Sequence, residues 1–125
     1  MQESIRSNET SGAATKYKLL GGNGMVKLIA LYKQPADKQK FDEHYFNTHA
    51  PITSKIPGLR KMEVTRVVGS PMGESEFYLL CEMYYDDHES LQKAMRTDEG
   101  KASGRDVMKF AGDIVTLMIG EEVDG

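Results

Sequence analysis

Among 125 residues, three histidines and one misplaced carboxylate are the groups best suited to moving a proton. His44 and His49 are five positions apart. Five residues of α-helix turn through about 140°, so the two rings are not expected on one face. A two-histidine zinc site within one helix is therefore not expected, and no metal is assigned. His49 lies four residues after Tyr45 and eight after Phe41, flanking an apolar stripe at helical spacing. Two readings stay open for it. One is a histidine at a helix end that hydrogen-bonds a carbonyl, where the helix dipole favours the protonated ring. The other is a general acid/base at the mouth of a helix–sheet pocket, with Tyr45 orienting a ligand. His88, within Asp86-Asp87-His88-Glu89, reads as part of a solvated helix start.

Glu82 interrupts Tyr78, Leu80 and Tyr84 along one face of an apolar strand. A buried carboxylate must be paired or protonated. It is a partnered charge in a dimer interface, with Arg66 or Arg60 on the neighbouring strand, or a carboxylate reaching the rim, or else a pocket carboxylate that binds substrate together with Tyr84. Cys81, the single cysteine, has no activating neighbour in sequence and reads as inert core. It cannot form an internal disulfide, which fits a reducing cytoplasmic location. No phosphate-cradling, dinucleotide, C-x-x-C or G-x-S-x-G motif occurs, so no cofactor is assigned. A net charge of −3 argues against nucleic acid as a partner. No apolar run approaches the 18 or so residues of a membrane span, and no export signal is visible.

These groups need a scaffold. Residues 1–24 are rich in Ser, Thr, Asn, Gly and Glu without periodicity, and read as a flexible N-terminal extension. From 25 to 123 the pattern is that of one folded domain. Met25 to Lys33 reads as a strand, apolar on both faces in its middle. Asp37 is the N-cap of a helix that Pro51 should end near His49. Ile56-Pro57-Gly58 is a turn, and Leu59 to Gly69 an edge strand with Arg66 at its wet end. Phe77 to Tyr85 is a third strand, apolar on both faces except at Glu82. Asp86 and Glu89 mark a short helix carrying Leu91, Ala94 and Met95. Gly100 and Gly104 interrupt, Val107, Phe110 and Ala111 add a helical turn or two, and Ile114 to Ile119 is the last strand.

The order β-α-β-β-α-β predicts an α+β, ferredoxin-like subunit: a four-stranded antiparallel sheet in the order 4-1-3-2 with helices on one face. The central strands are then the two that are apolar on both faces. Their uncovered side predicts a homodimer packed through the sheet faces.

Phe41-Asp-Glu-His-Tyr45, His49-Ala-Pro51 and Ile56-Pro-Gly58-Leu59 together resemble the EthD family, and the likeness spans about 25–123. The resemblance implies a dimeric α+β barrel. It also implies a pocket whose polar residue is the histidine of H-x-P, His49 here. An oxidoreductase-type label is what it implies for activity. Dimeric barrels of this kind include cofactor-free monooxygenases, haem-degrading enzymes and lactone isomerases, several of which rely on a pocket tryptophan. This sequence has no tryptophan. The expected function is thus an accessory catabolic or biosynthetic enzyme acting on a small apolar, oxygen-bearing compound. The alternative is a non-catalytic, ligand-binding or stress-associated homodimer.

Overall fold

A computed structural model describes residues 24–123, together with Asn8–Glu9 and Ala13–Ala14, which pair as a two-residue antiparallel ribbon apart from the main sheet. The expectation of a flexible extension over 1–24 otherwise lies outside the described residues.

The main sheet has four antiparallel strands: β1 Val26–Lys33, β2 Lys61–Arg66, β3 Phe77–Tyr85 and β4 Val115–Glu121. Their order is β2-β3-β1-β4, so the two doubly apolar strands are central, as the patterning predicts. Alternation sorts the side chains. Val26, Ala30 and Tyr32 of β1, with Leu79, Cys81, Met83 and Tyr85 of β3, are buried beneath the helices. Lys27, Ile29 and Leu31, with Leu80, Glu82 and Tyr84, lie on the opposite face.

The helices are α1 Lys38–His44, α2 Ala50–Thr53, α3 His88–Met95 and α4 Asp98–Ala111, with a π-helical turn, Tyr45–His49, joining α1 to α2. Asp37 caps α1 as predicted, its Oδ1 accepting from the Lys40 N–H at 3.0 Å. The cap of α3 is Asp87 rather than Asp86, with Oδ1 accepting from Ser90 N–H at 2.7 Å. Asp86 instead holds Arg60 at 2.7 Å.

Two sequence expectations fail on the helices. Pro51 does not end the first helix near His49. The Ala50 N–H bonds the Tyr45 carbonyl in π register, and a fresh α segment starts with Pro51 in its first turn. Likewise, Gly100 and Gly104 do not break α4, which runs unbroken for 14 residues from a Thr97 cap. At Gly100 a side chain is excluded by the end of α3, where Ala94 and Met95 lie against it.

An aromatic cluster fixes α1 and the π turn to the sheet. Tyr32 meets Phe41 edge-on at 5.2 Å, and Phe41 stacks on Tyr45 at 5.9 Å. Such pairs contribute about 0.5–1.5 kcal/mol each beyond their burial. Tyr78 joins them, 5.6 Å from Phe41, with its hydroxyl donating to Asp42 at 2.9 Å. Strict alternation had placed Tyr78 with Leu80 and Glu82. A register shift opposite Tyr32/Lys33 turns it toward α1 instead. Gly58, at φ +89°, makes the turn into β2.

Candidate functional site

Glu82 and Tyr84, considered from the sequence as ligand contacts beside His49, lie on the opposite face of the sheet. Glu82 accepts from Lys27 Nζ at 2.9 Å, and the Tyr84 hydroxyl donates to Glu63 at 2.8 Å. Strand alternation separates them from His49, so neither reaches its cavity. The partner of Glu82 is Lys27 and not Arg60 or Arg66, because those arginines are bound to Asp86 and Asp42.

Tyr45 does accompany His49. Both are buried, with ring centroids 5.6 Å apart. Burial, with the nearby Cys81 and Tyr32, drives the Tyr45 phenol far above its ordinary range, so it remains a neutral donor. Cys81 is buried and its thiol is likewise pushed up by burial. His88 is exposed and sits 3.0 Å from Glu121, as a solvated helix start should.

The residue that organises the site is Asp106, which the sequence reading passed over. Its Oδ2 lies 2.9 Å from His49 Nδ1, and both its oxygens lie 3.0 Å from His44 Nε2. The expectation that His44 and His49 diverge holds for an α-helix and fails here. In a π turn hydrogen bonds run from i to i+5, so residues five apart come to stand over one another. The turn that carries the chain past Pro51 also aims both imidazoles at one carboxylate. Among the described residues no group of three such side chains is arranged to hold a metal ion.

A carboxylate only accepts, so Nδ1 of His49 carries the proton and Nε2 is the free base. Nε2 is 3.3 Å from the Thr53 hydroxyl, which is 2.7 Å from the Ser103 hydroxyl. Thr53 and Ser103 are both buried. Ser103, Asp106 and Phe110 share one stripe of α4 at i, i+3 and i+7. Helical spacing carried back through Gly104 and Gly100 would have revealed them.

His49 and Ser103 line an otherwise apolar cavity of about 100 Å³ between the sheet and α4. Its walls include Leu28, Ala30, Cys81, Met83, Val107 and Leu117. Gly104 and Leu117, both exposed, mark where it reaches the surface between α4 and β4.

His49 is no helix-end cation. Burial pushes its pKa below the ordinary 6.5, against the opposing pull of Asp106. For Asp106, burial raises the carboxyl, but the bonds from His44 and His49 outweigh it and hold the group below 3.8. The pH dependence follows. Below pH 6.5 the unfolded chain binds a proton at His49 that the folded protein refuses. Stability should therefore be full above 6.5 and fall as pH drops through the folded pKa. Thermal unfolding between pH 7 and pH 5 should show this loss. His49→Gln should flatten it, and a wild-type profile that is already flat would contradict the assignment.

The EthD domain pattern matches residues 33–114, about two thirds of the chain, including all of α1, the π turn and α4. The chain belongs to the EthD family. An EthD-family protein of Bacillus halodurans C-125, of known crystal structure, is 84% identical. The match covers 78% of this chain and 98% of that one, with a TM-score of 0.78. An uncharacterized 11.0 kDa protein from the thcB-thcC intergenic region of Rhodococcus erythropolis is 28% identical over 98 residues, covering 78% of this chain and 95% of that relative. The hydroxynitrile lyase of Passiflora edulis superposes with a TM-score of 0.64 over 78% of this chain and 93% of its own. At 8% identity that likeness is one of fold alone. No helix among the described residues of this EthD-family chain is long and apolar enough to cross a membrane.

Proposed function

We propose that this EthD-family protein is a small acid–base enzyme in which His49 takes a proton from, or returns one to, a small apolar compound bearing oxygen. The observation that carries this reading is the setting of His49. It is a neutral imidazole in the wall of an apolar cavity, with a carboxylate fixed behind it. A base whose protonation is disfavoured at rest, but whose charged form finds a carboxylate at 2.9 Å, suits transient proton transfer. Tyr45 packs the ring in place from below, and Thr53 and Ser103 extend its hydrogen bonding along the cavity wall.

The cavity limits the ligand. About 100 Å³ is less than the ~150 Å³ apolar cavity that holds benzene. A ligand of a few heavy atoms fits as the walls stand. Met83 and Met95, flexible and polarizable, are the lining residues best able to yield to a larger one. Proteins of this fold include a hydroxynitrile lyase and a cofactor-independent oxygenase, so the fold admits acid–base chemistry beside the oxidoreductase-type reading.

The test is exchange of carbon-bound hydrogen with solvent. Small enolisable ketones and aldehydes would be incubated with the protein in D₂O and followed by NMR. Protein-dependent deuterium uptake by any of them supports an acid–base enzyme. Saturable binding without exchange or product across the panel would instead establish a ligand-binding protein.

The same reading includes a homodimer. Ile29, Leu31, Leu80 and Met118 lie on the sheet face that the helices leave uncovered, around the Lys27–Glu82 pair. A second copy would remove that apolar surface from water. Light scattering at micromolar concentration should give about 28 kDa, twice the 14.0 kDa chain. A stable monomer there would reject the dimer without touching the assignment of His49.

A further inference from the structure

Asp106 stands between two hollows of the subunit. One is the apolar cavity with His49 in its wall. The other is an open cleft of about 430 Å³ between the start of α1 and the end of α4, lined by Pro35, Phe41, His44, Phe110 and Ile114. Each histidine thus borders one hollow and hydrogen-bonds the same carboxylate, His44 at 3.0 Å and His49 at 2.9 Å. Side-chain exposure rises along the line, from 8% at His49 through 13% at Asp106 to 34% at His44. Phe110 packs against both imidazoles, with centroids 4.4 Å from His44 and 5.1 Å from His49. The aromatic ring covers both imidazoles, and the carboxylate is the polar link between them.

We infer that His44 is the proton port of the site: the line His49–Asp106–His44 carries protons between the buried cavity and water in the cleft. This rests on the reading of His49 as a proton-transfer residue. Outward transfer begins when Nε2 of His49 takes a proton from the ligand. Nδ1–H then gives its proton to Oδ2 of Asp106. With Asp106 now neutral, His44 exchanges its Nε2 proton for one on Nδ1 through cleft water, takes the carboxyl proton on Nε2 and releases Nδ1–H to water. One proton has left the ligand and one has entered solvent. His49 and His44 are neutral again and Asp106 is again an anion. The reverse sequence delivers a proton to the ligand and restores the resting tautomer of His49. His44 is a positioning and relay residue in this scheme, since it touches no ligand in the cavity. The port lets a base that is closed off from bulk water recover its protonation state without opening the cavity.

The test reads proton movement in the ligand-free, full-length protein and needs no substrate. The exchange rate of the His49 Nδ1 proton with water would be measured by NMR on histidine-labelled samples of wild type, His44→Gln and His44→Phe. Glutamine keeps an N–H donor on Asp106 but cannot pass a proton on. Phenylalanine keeps a ring against Phe110. Exchange should slow roughly tenfold or more in both variants. Imidazole added to the solvent should enter the space that a third variant, His44→Ala, vacates beside the cleft and restore most of its rate. Unchanged exchange in the two variants would overturn the inference. So would slow exchange that imidazole does not restore, because packing alone would then explain it. Either failure leaves the catalytic reading of His49 standing. Failure of the ketone exchange assay, in turn, leaves the proton path intact.

Discussion

Replacing His49 with glutamine is expected to lower turnover of an accepted substrate by roughly 100-fold or more while the protein stays folded. Glutamine can still donate to Asp106 from its amide, so the buried carboxylate keeps a partner. It has no group that accepts and returns a proton near neutral pH. His49→Ala goes further. It removes the bonds to both Asp106 and Thr53, leaving each with one partner, His44 and Ser103, at a cost of about 1–3 kcal/mol. Thermal unfolding and turnover measured on the same two variants separate the roles. A role in packing alone would leave the glutamine variant fully active. Glu82→Gln is the matched control. It lies on the far face of the sheet, so it should leave turnover essentially unchanged.

The largest effect on stability is expected at Gly100, where α4 meets the end of α3 beside the cavity. A Cβ there would press into the carbonyl of Ala94 and lie 3.0 Å from the Met95 Cα, both backbone atoms that cannot swing aside. Gly100→Ala should therefore destabilise by about 1–3 kcal/mol, in the range of other overpacking changes. For a domain of this size that lowers Tm by roughly 4–8 °C per kcal/mol. Gly104, four residues along the same helix, is the internal contrast. Nothing lies within 4 Å of its Cβ position. Gly104→Ala should gain up to about 1 kcal/mol, because alanine is the better helix former. If both changes stabilise alike, α3 and α4 do not approach as closely as described.

The contrast between these glycines also explains what was legible beforehand. Strand placement needed only alternation and the doubly apolar runs at Leu28–Tyr32 and Phe77–Tyr85, and it led directly to the observed strand order. The same rule mispaired Glu82, because apolar neighbours along a strand do not say which face meets the helices. Gly100 and Gly104 made α4 look broken on propensity, whereas one of them is required by a close helix–helix contact. With α4 hidden, Asp106 and Ser103 had no helix to sit on, and the acid–base group lost its carboxylate. His49 itself was visible from its spacing to Phe41 and Tyr45. Its charge preference was not. A dipole argument applies at a helix terminus, and the helical path runs on to Thr53, so burial decides instead.

The turn from Tyr45 to His49 gives the site an unusual dependence on arithmetic. A π turn is a helix with one residue too many, and that surplus residue is what brings positions five apart into line. Asn47 and Thr48, both exposed, make no contribution to the carboxylate cluster except to be counted. Loss of either would let the backbone relax to α geometry, in which the two histidines, then four apart, stand about 40° apart and still share one face. Every chemically active side chain would still be present. A single-codon deletion between them would thus exchange the π turn for an α turn without parting His44 from His49. A comparison of relatives by residue identity would overlook it, and one that tracks the length of this segment would not.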